Sequence, residues 1–273
     1  MKEQTTRLFR FFAEDGQARK KAIQEFVLSG QVDAVAREKN GETLLLLTSQ
    51  LDTDPAGQIL LNHCQERLEQ ACGAGLYGLG NTTLFESLVQ AMQQHKMLFV
   101  AADTETRDLL NEPLSRLEQA GTVYDFGELS CGHEKIGSKI QQAAQAAATP
   151  LEAARKRISA ACAMTGANWG AASVTEQDAL TLVVGNAKKY WVYPVQKDQR
   201  PVLWLADMLR RAALGAEQAQ GVSFQPGQTE VPMFAEEPQA HRRRVKRVLA
   251  GSLAVILIIS ALTLIILFWK IGG

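Results

Sequence analysis

Five residues, Asp103, Thr104, Glu105, Arg107 and Asp125, are the best candidates for chemistry in this chain. Each lies at or just beyond the carboxyl end of a short apolar run read as a parallel strand, and such ends are where ligands gather in open α/β sheets. Carboxylates, a hydroxyl and a guanidinium there could bind a polar ligand or move a proton. The competing account is that Asp103 and Thr104 cap the helix that follows while the others solvate it.

Other constellations are weaker. Gly73 to Gly80, GAGLYGLG, has the composition of a phosphate cradle but follows a helix and lacks the lysine and hydroxyl of a P-loop, so a linker is expected. Cys64, Cys72, Cys131 and Cys162 are irregularly spaced, and neither His63-Cys64 nor Cys131-Gly132-His133 continues into a zinc pattern; no metal and no cofactor are expected. No H-E-x-x-H, G-x-S-x-G or P-loop occurs, so no residue is assigned a catalytic role.

The elements that would position the five candidates follow from periodicity. Lys96 to Ala102 and Thr122 to Phe126 read as strands flanking a helix, Thr104 to Ala120, which implies a right-handed parallel crossover. Upstream, Leu8, Phe11 and Phe12 suggest one amphipathic helix, and Ala22, Ile23, Phe26 and Val27 a second. Helices are also expected from Asp54 to Ala71 and from Thr82 to His95.

The run from Ser29 to Leu47, with Asn40-Gly41-Glu42-Thr43-Leu44 at its centre, resembles an ankyrin repeat, and Gly80 to Leu88 echoes it thirty-nine residues on. Ankyrin spacing is about 33 and a solenoid needs several units, so the resemblance implies helix-turn-helix packing and not membership of the family. Glu42 to Gln50 reads alternatively as a buried strand.

Beyond residue 135, Ile136 to Ala148 and Leu151 to Met164 read as helices broken at Thr149-Pro150. Asn168 to Val174, Ala179 to Val184 and Ala187 to Val195 form an antiparallel meander. A two-residue turn at Gly185-Asn186 sets Leu180 opposite Trp191 and Leu182 opposite Lys189. A helix from Val202 to Leu214 covers it. Trp169, Tyr190, Trp191, Tyr193 and Trp204 read as packing and not as a base-stacking platform.

The last stretch decides location. Val248 to Trp269 carries no charge and, as a helix, extends about 33 Å, enough to cross a hydrocarbon core. Arg242, Arg243, Arg244, Lys246 and Arg247 precede it, and Trp269 and Lys270 close it, so the larger part is expected in the cytosol, tail-anchored, at a bacterial inner membrane. Ala250, Ala254 and Ala261 offer a small-residue side for self-association in the bilayer. Residues 1–241 carry 23 basic against 29 acidic residues, which argues against a nucleic-acid partner.

The expected organisation is a mixed α/β (α+β), helix-rich cytosolic region with a small antiparallel β-meander plus one C-terminal transmembrane helix. Its parts are a helix-rich α/β lobe (1–150), an α-β-β-β-α lobe (151–215), a flexible linker (216–241), and a basic collar with the tail anchor (242–273). The function expected is a non-catalytic scaffold or regulatory component that binds a protein partner at a lipid bilayer. The alternatives are a membrane-anchored enzyme using Asp103 to Asp125, and a membrane-acting effector that oligomerises through its span.

Overall fold

The computed structural model describes residues 5–51, 53–126 and 133–227. Its first part is built on alternation. In Thr6–Phe12 (β1) the rings of Phe9 and Phe11 point to one side and are fully buried. The expected amphipathic helix here is therefore corrected to a strand: the pair at i, i+2 meets a core, and period two wins over the 8, 11, 12 stripe. Gly16–Leu28 (α1) is helical as expected, capped by the Asp15 carboxylate accepting from Gln17 N.

The run resembling an ankyrin repeat is a β-hairpin, Val32–Lys39 (β2) and Glu42–Ser49 (β3). Asn40 and Gly41 are its two-residue turn, with φ of 56° and 81°, and Lys39 lies opposite Glu42. Two successive positive φ values are what Asn-Gly supplies in a type I′ turn, so the turn chemistry overrides the helical reading. Asp54–Cys72 (α2) follows as expected. The glycine-rich stretch then proves to be a 3-10 turn and a strand, Leu76–Leu79 (β4), and not a linker. The sheet is wholly antiparallel, in the order β2-β3-β1-β4. Both helices pack on one face, where Phe9, Phe11, Leu45, Leu47, Leu61 and Leu68 share a core.

The second sheet has six strands. Leu84–Gln94 (α3) opens on a reciprocal Thr83/Glu86 capping box, and Phe99–Ala101 (β5), Thr104–Leu114 (α4) and Tyr124–Asp125 (β6) give the expected parallel crossover. Glu134–Ala144 (α5) and Pro150–Thr165 (α6) precede the meander of Trp169–Glu176 (β7), Ala179–Gly185 (β8) and Lys189–Pro194 (β9). Pro201–Leu214 (α7) and Ser223–Pro226 (β10) complete the described chain, and the strand order is β10-β9-β8-β7-β5-β6.

Two details of the meander differ from expectation. Leu182 lies opposite Tyr193 and Val184 opposite Trp191, a register four residues away from the one expected, with Asn186 N donating to Lys189 O at 2.9 Å. The shift is even, so every side chain keeps its face. Gly185 is there because a Cβ would lie 2.5 Å from the Lys189 carbonyl oxygen, and not to supply a positive φ. Within the stretch read as a linker, β10 pairs with β9 at the sheet edge.

Alternate residues of this sheet feed two cores. Phe99, Ala101, Ala171, Leu182 and Val184 pack with α3, α4 and α7; Val100, Ala102, Ala172, Val183 and Val192 pack with α5 and α6. The break between sheets falls near Gly80 to Thr83, and residues on both sides of 150 serve the six-stranded one.

The mixed α/β class thus stands. The membrane and transmembrane description is corrected: among the described residues no helix is long and apolar enough to cross a membrane. The basic collar from Arg242, the small-residue side of Ala250, Ala254 and Ala261, and the Trp269-Lys270 anchor lie outside the described residues.

Candidate functional site

Asp103 is a structural carboxylate. At the N-terminus of α4 its Oδ1 accepts from Thr106 N at 2.7 Å and from Ser173 Oγ at 3.3 Å, and its Oδ2 accepts from Ser173 N at 3.0 Å. Thr106 Oγ1 closes the network on Ser173 Oγ at 3.1 Å. All three side chains are buried. One carboxylate therefore caps a helix and ties it to β7, and its oxygens are engaged where a substrate proton would have to be met.

The other four candidates do not converge on it. Glu105 turns out along α4 and accepts weakly from Thr175 Oγ1 at 3.4 Å, while Arg107 pairs with its neighbour Asp108 at 3.0 Å. Thr104 and Glu105 line a broad groove of about 720 Å³ that also touches Asp108, Glu112, Arg116 and Arg200. Asp125 lines a different hollow of about 320 Å³ with Leu98, Val100, Tyr124, Phe126 and Thr165. The crossover is legible in sequence; the assembly of five residues into one site is not what the geometry gives.

The strongest polar constellation lies where the sequence suggests only a covering helix. Asp207, Arg210 and Arg211 of α7 are all buried. Asp207 Oδ1 accepts from Arg210 Nη2 and its Oδ2 from Arg211 Nε, both at 2.6 Å. Arg211 Nη2 also donates to Phe12 O at 3.2 Å and Arg210 Nη2 to Ala74 O, so one helix of the six-stranded sheet grips two backbone carbonyls of the four-stranded part. The i, i+3, i+4 spacing is the available signal, but on an amphipathic helix it reads as a solvated face. Phe12 extends the joint by meeting Trp204 edge-on, ring centroids 5.3 Å apart.

The expected packing role of the aromatics agrees with the geometry: Tyr193 stacks on Trp204 at 3.8 Å, and Lys189 Nζ lies 5.1 Å and 5.0 Å from the rings of Trp169 and Trp191. Cys64 and Cys162 are buried. Burial raises the thiols of Cys64, Cys72 and Cys162 to about 11, about 12 and about 12, far from thiolate chemistry. Among the described residues no three His, Cys, Asp or Glu side chains are grouped to hold a metal ion.

Among the described residues, one face of the four-stranded sheet is left largely uncovered. Register places Val35, Leu46 and Leu8 in one row across β2, β3 and β1, with Arg37, Leu44 and Arg10 in the next. Val35 is 56 % and Leu46 39 % exposed, while their neighbours Leu45 and Leu47 on the opposite face are buried. Only the end of this face near Phe12 and Tyr77 is covered, joining the core under α7. There Glu42 accepts from Tyr77 Oη and pairs with Arg10 at 3.2 Å; burial, then the hydrogen bond to Glu42, raises the phenol's pKa.

No family model matches the chain, and no curated protein matches its sequence. Among solved structures, a competence-damaged protein (CinA) superfamily protein from Escherichia coli is 16% identical with a TM-score of 0.33, covering 52% of this chain and 95% of that one. A competence or damage-inducible protein from Enterobacter asburiae is 12% identical with a TM-score of 0.33, covering 50% and 96%.

Proposed function

We propose that the described body is a non-catalytic protein-binding module, a scaffold or regulatory component of an assembly. The observation that carries this reading is the apolar row Val35, Leu46 and Leu8 on the uncovered face of the four-stranded sheet, beside an edge strand whose last seven residues are exposed. Single exposed apolar side chains are ordinary, but three aligned across adjacent strands form a surface that gains by leaving water. The buried carboxylates of Asp103 and Asp207, by contrast, are engaged in holding helices and sheets together.

The test is capture of partners by the full chain and by the full chain carrying Val35→Glu with Leu46→Glu. Loss of a captured protein with an unchanged unfolding midpoint supports the module; an identical captured set defeats it. A parallel comparison of the full chain with one ending at Ala240, by co-sedimentation with lipid vesicles, decides where the module resides. The reading of its surface holds in either outcome.

A further inference from the structure

Among the described residues four strand edges are open to pairing, and three are blunted. In the six-stranded sheet β6 is two residues long, and β10 is four residues long and ends in Pro226. In the four-stranded sheet β4 is four residues long and its pairing with β1 is broken by a register shift between Arg10 and Phe11. The fourth edge, β2, has eight residues in unbroken register with β3, no proline and no bulge. A long, regular, exposed edge is a template for another strand.

Which strand it takes is written in its own side chains. Gln50 N donates to Gln31 O at 2.9 Å, which makes the pair Gln31 and Gln50 a hydrogen-bonded one. The antiparallel ladder then alternates, so Asp33, Val35, Arg37 and Lys39 spend their backbone groups on β3 while Val32, Ala34, Ala36 and Glu38 turn theirs outward. We propose that β2 pairs antiparallel with β2 of a second copy about a two-fold axis at Val35, joining two four-stranded sheets into one of eight.

In that register Ala34 bonds to the second copy's Ala36, and Val35 faces its own counterpart in a non-hydrogen-bonded pair. Asp33 faces the second copy's Arg37 on the same side of the sheet. Every opposition along the open face is then favourable: opposite charges at two positions and a pair of valines between them. Asp33 has the capacity, since Oδ2 accepts from Gln50 Nε2 while Oδ1 has no bond among the described residues. The small Ala34 and Ala36 on the other side let two backbones approach. The apolar rows meet end to end, Leu8, Leu46 and Val35 continuing into Val35, Leu46 and Leu8, as an isologous interface requires.

This inference rests on the protein-binding reading and names its partner. Sedimentation equilibrium of the full chain in mild detergent is expected to show a dimer. Arg37→Asp raises its dissociation constant about tenfold or more, and adding Asp33→Arg to that variant restores it by exchanging the charges. Val35→Cys places two sulfurs across the axis, where Cα atoms about 4.5 Å apart suit a disulfide, so mild oxidation links two chains. Ala34→Cys, offset from its own copy, does not, and neither does the unaltered chain. A particle that is monomeric at every concentration overturns the proposal. So does a dimer that is indifferent to Arg37→Asp and whose Val35→Cys form stays unlinked on oxidation, for it is held elsewhere. If the chain is monomeric yet loses a captured protein on Val35→Glu with Leu46→Glu, self-pairing falls and the protein-binding reading stands.

Discussion

The two sheets bury their faces to different extents. The six-stranded sheet is sandwiched, with α3, α4 and α7 on one side and α5 and α6 on the other, so β5 is apolar throughout and β7 is buried over its first six residues. The four-stranded sheet has α1 and α2 on one side, and leucines of β3 alternate between full burial and partial exposure. A polar group caught in the sandwich must be satisfied internally and becomes structural. An apolar group on the open sheet contributes nothing to its own core and remains available to a partner. This difference makes Asp103 and Asp207 part of the architecture and, on the proposed reading, gives Val35 and Leu46 to recognition.

The sharpest attempt to break that assignment removes the charge at Asp207. Asp207→Ala leaves two buried guanidinium groups without their shared anion, and loss of one partner in such a network costs about 3–5 kcal/mol. Urea unfolding of the full chain measures it. A change within about 0.5 kcal/mol would mean that the α7 joint is solvated and the two sheets are not locked.

The second comparison stays within β3. Leu47→Ala empties a fully buried position and is expected to cost about 2–5 kcal/mol, whereas Leu46→Ala, its partly exposed neighbour, costs well under about 1 kcal/mol. Equal losses would show that the face described as open is covered. Third comes Asp103→Ala, expected to cost about 1–3 kcal/mol through the lost cap on Thr106 and the unpaired Ser173 N–H. Under the enzyme alternative the same variant would instead lower an activity at unchanged stability.

Much of the sandwich is legible in sequence because its elements carry local signatures: proline at the first turns of α6 and α7, a strand-helix-strand alternation, and three β-rich runs separated by turns. The open sheet is ambiguous for a physical reason. Leu8, Phe11 and Phe12 satisfy a helical stripe as well as Phe9 and Phe11 satisfy a strand, and a seven-residue window decides neither. Asn40-Gly41 is the decisive local signal, and it hides inside a resemblance to a helical repeat whose first turn uses similar residues. The α7 joint is out of reach, because nothing in Asp207, Arg210 and Arg211 says that Phe12 and Ala74, nearly two hundred and over a hundred residues away, supply the other acceptors.

The smallest effect concerns three thiols, and it compares the cores directly. Cys64 and Cys72 belong to the four-stranded part and Cys162 to α6; burial raises all three above an ordinary 9. A folded-state value above the unfolded one means that the native protein holds its proton longer. Stability from these groups is therefore complete below about pH 9 and is lost as pH rises towards 11 and 12. By pH 10 the loss is on the order of 1 kcal/mol per thiol, and less for the half-buried Cys72 than for the buried Cys162. Urea midpoints measured from pH 8 to pH 10 on Cys72→Ser and Cys162→Ser chains separate the two contributions. The Cys162→Ser chain is expected to show the flatter profile; a flatter profile for Cys72→Ser would place the better-sealed core beneath the four-stranded sheet instead.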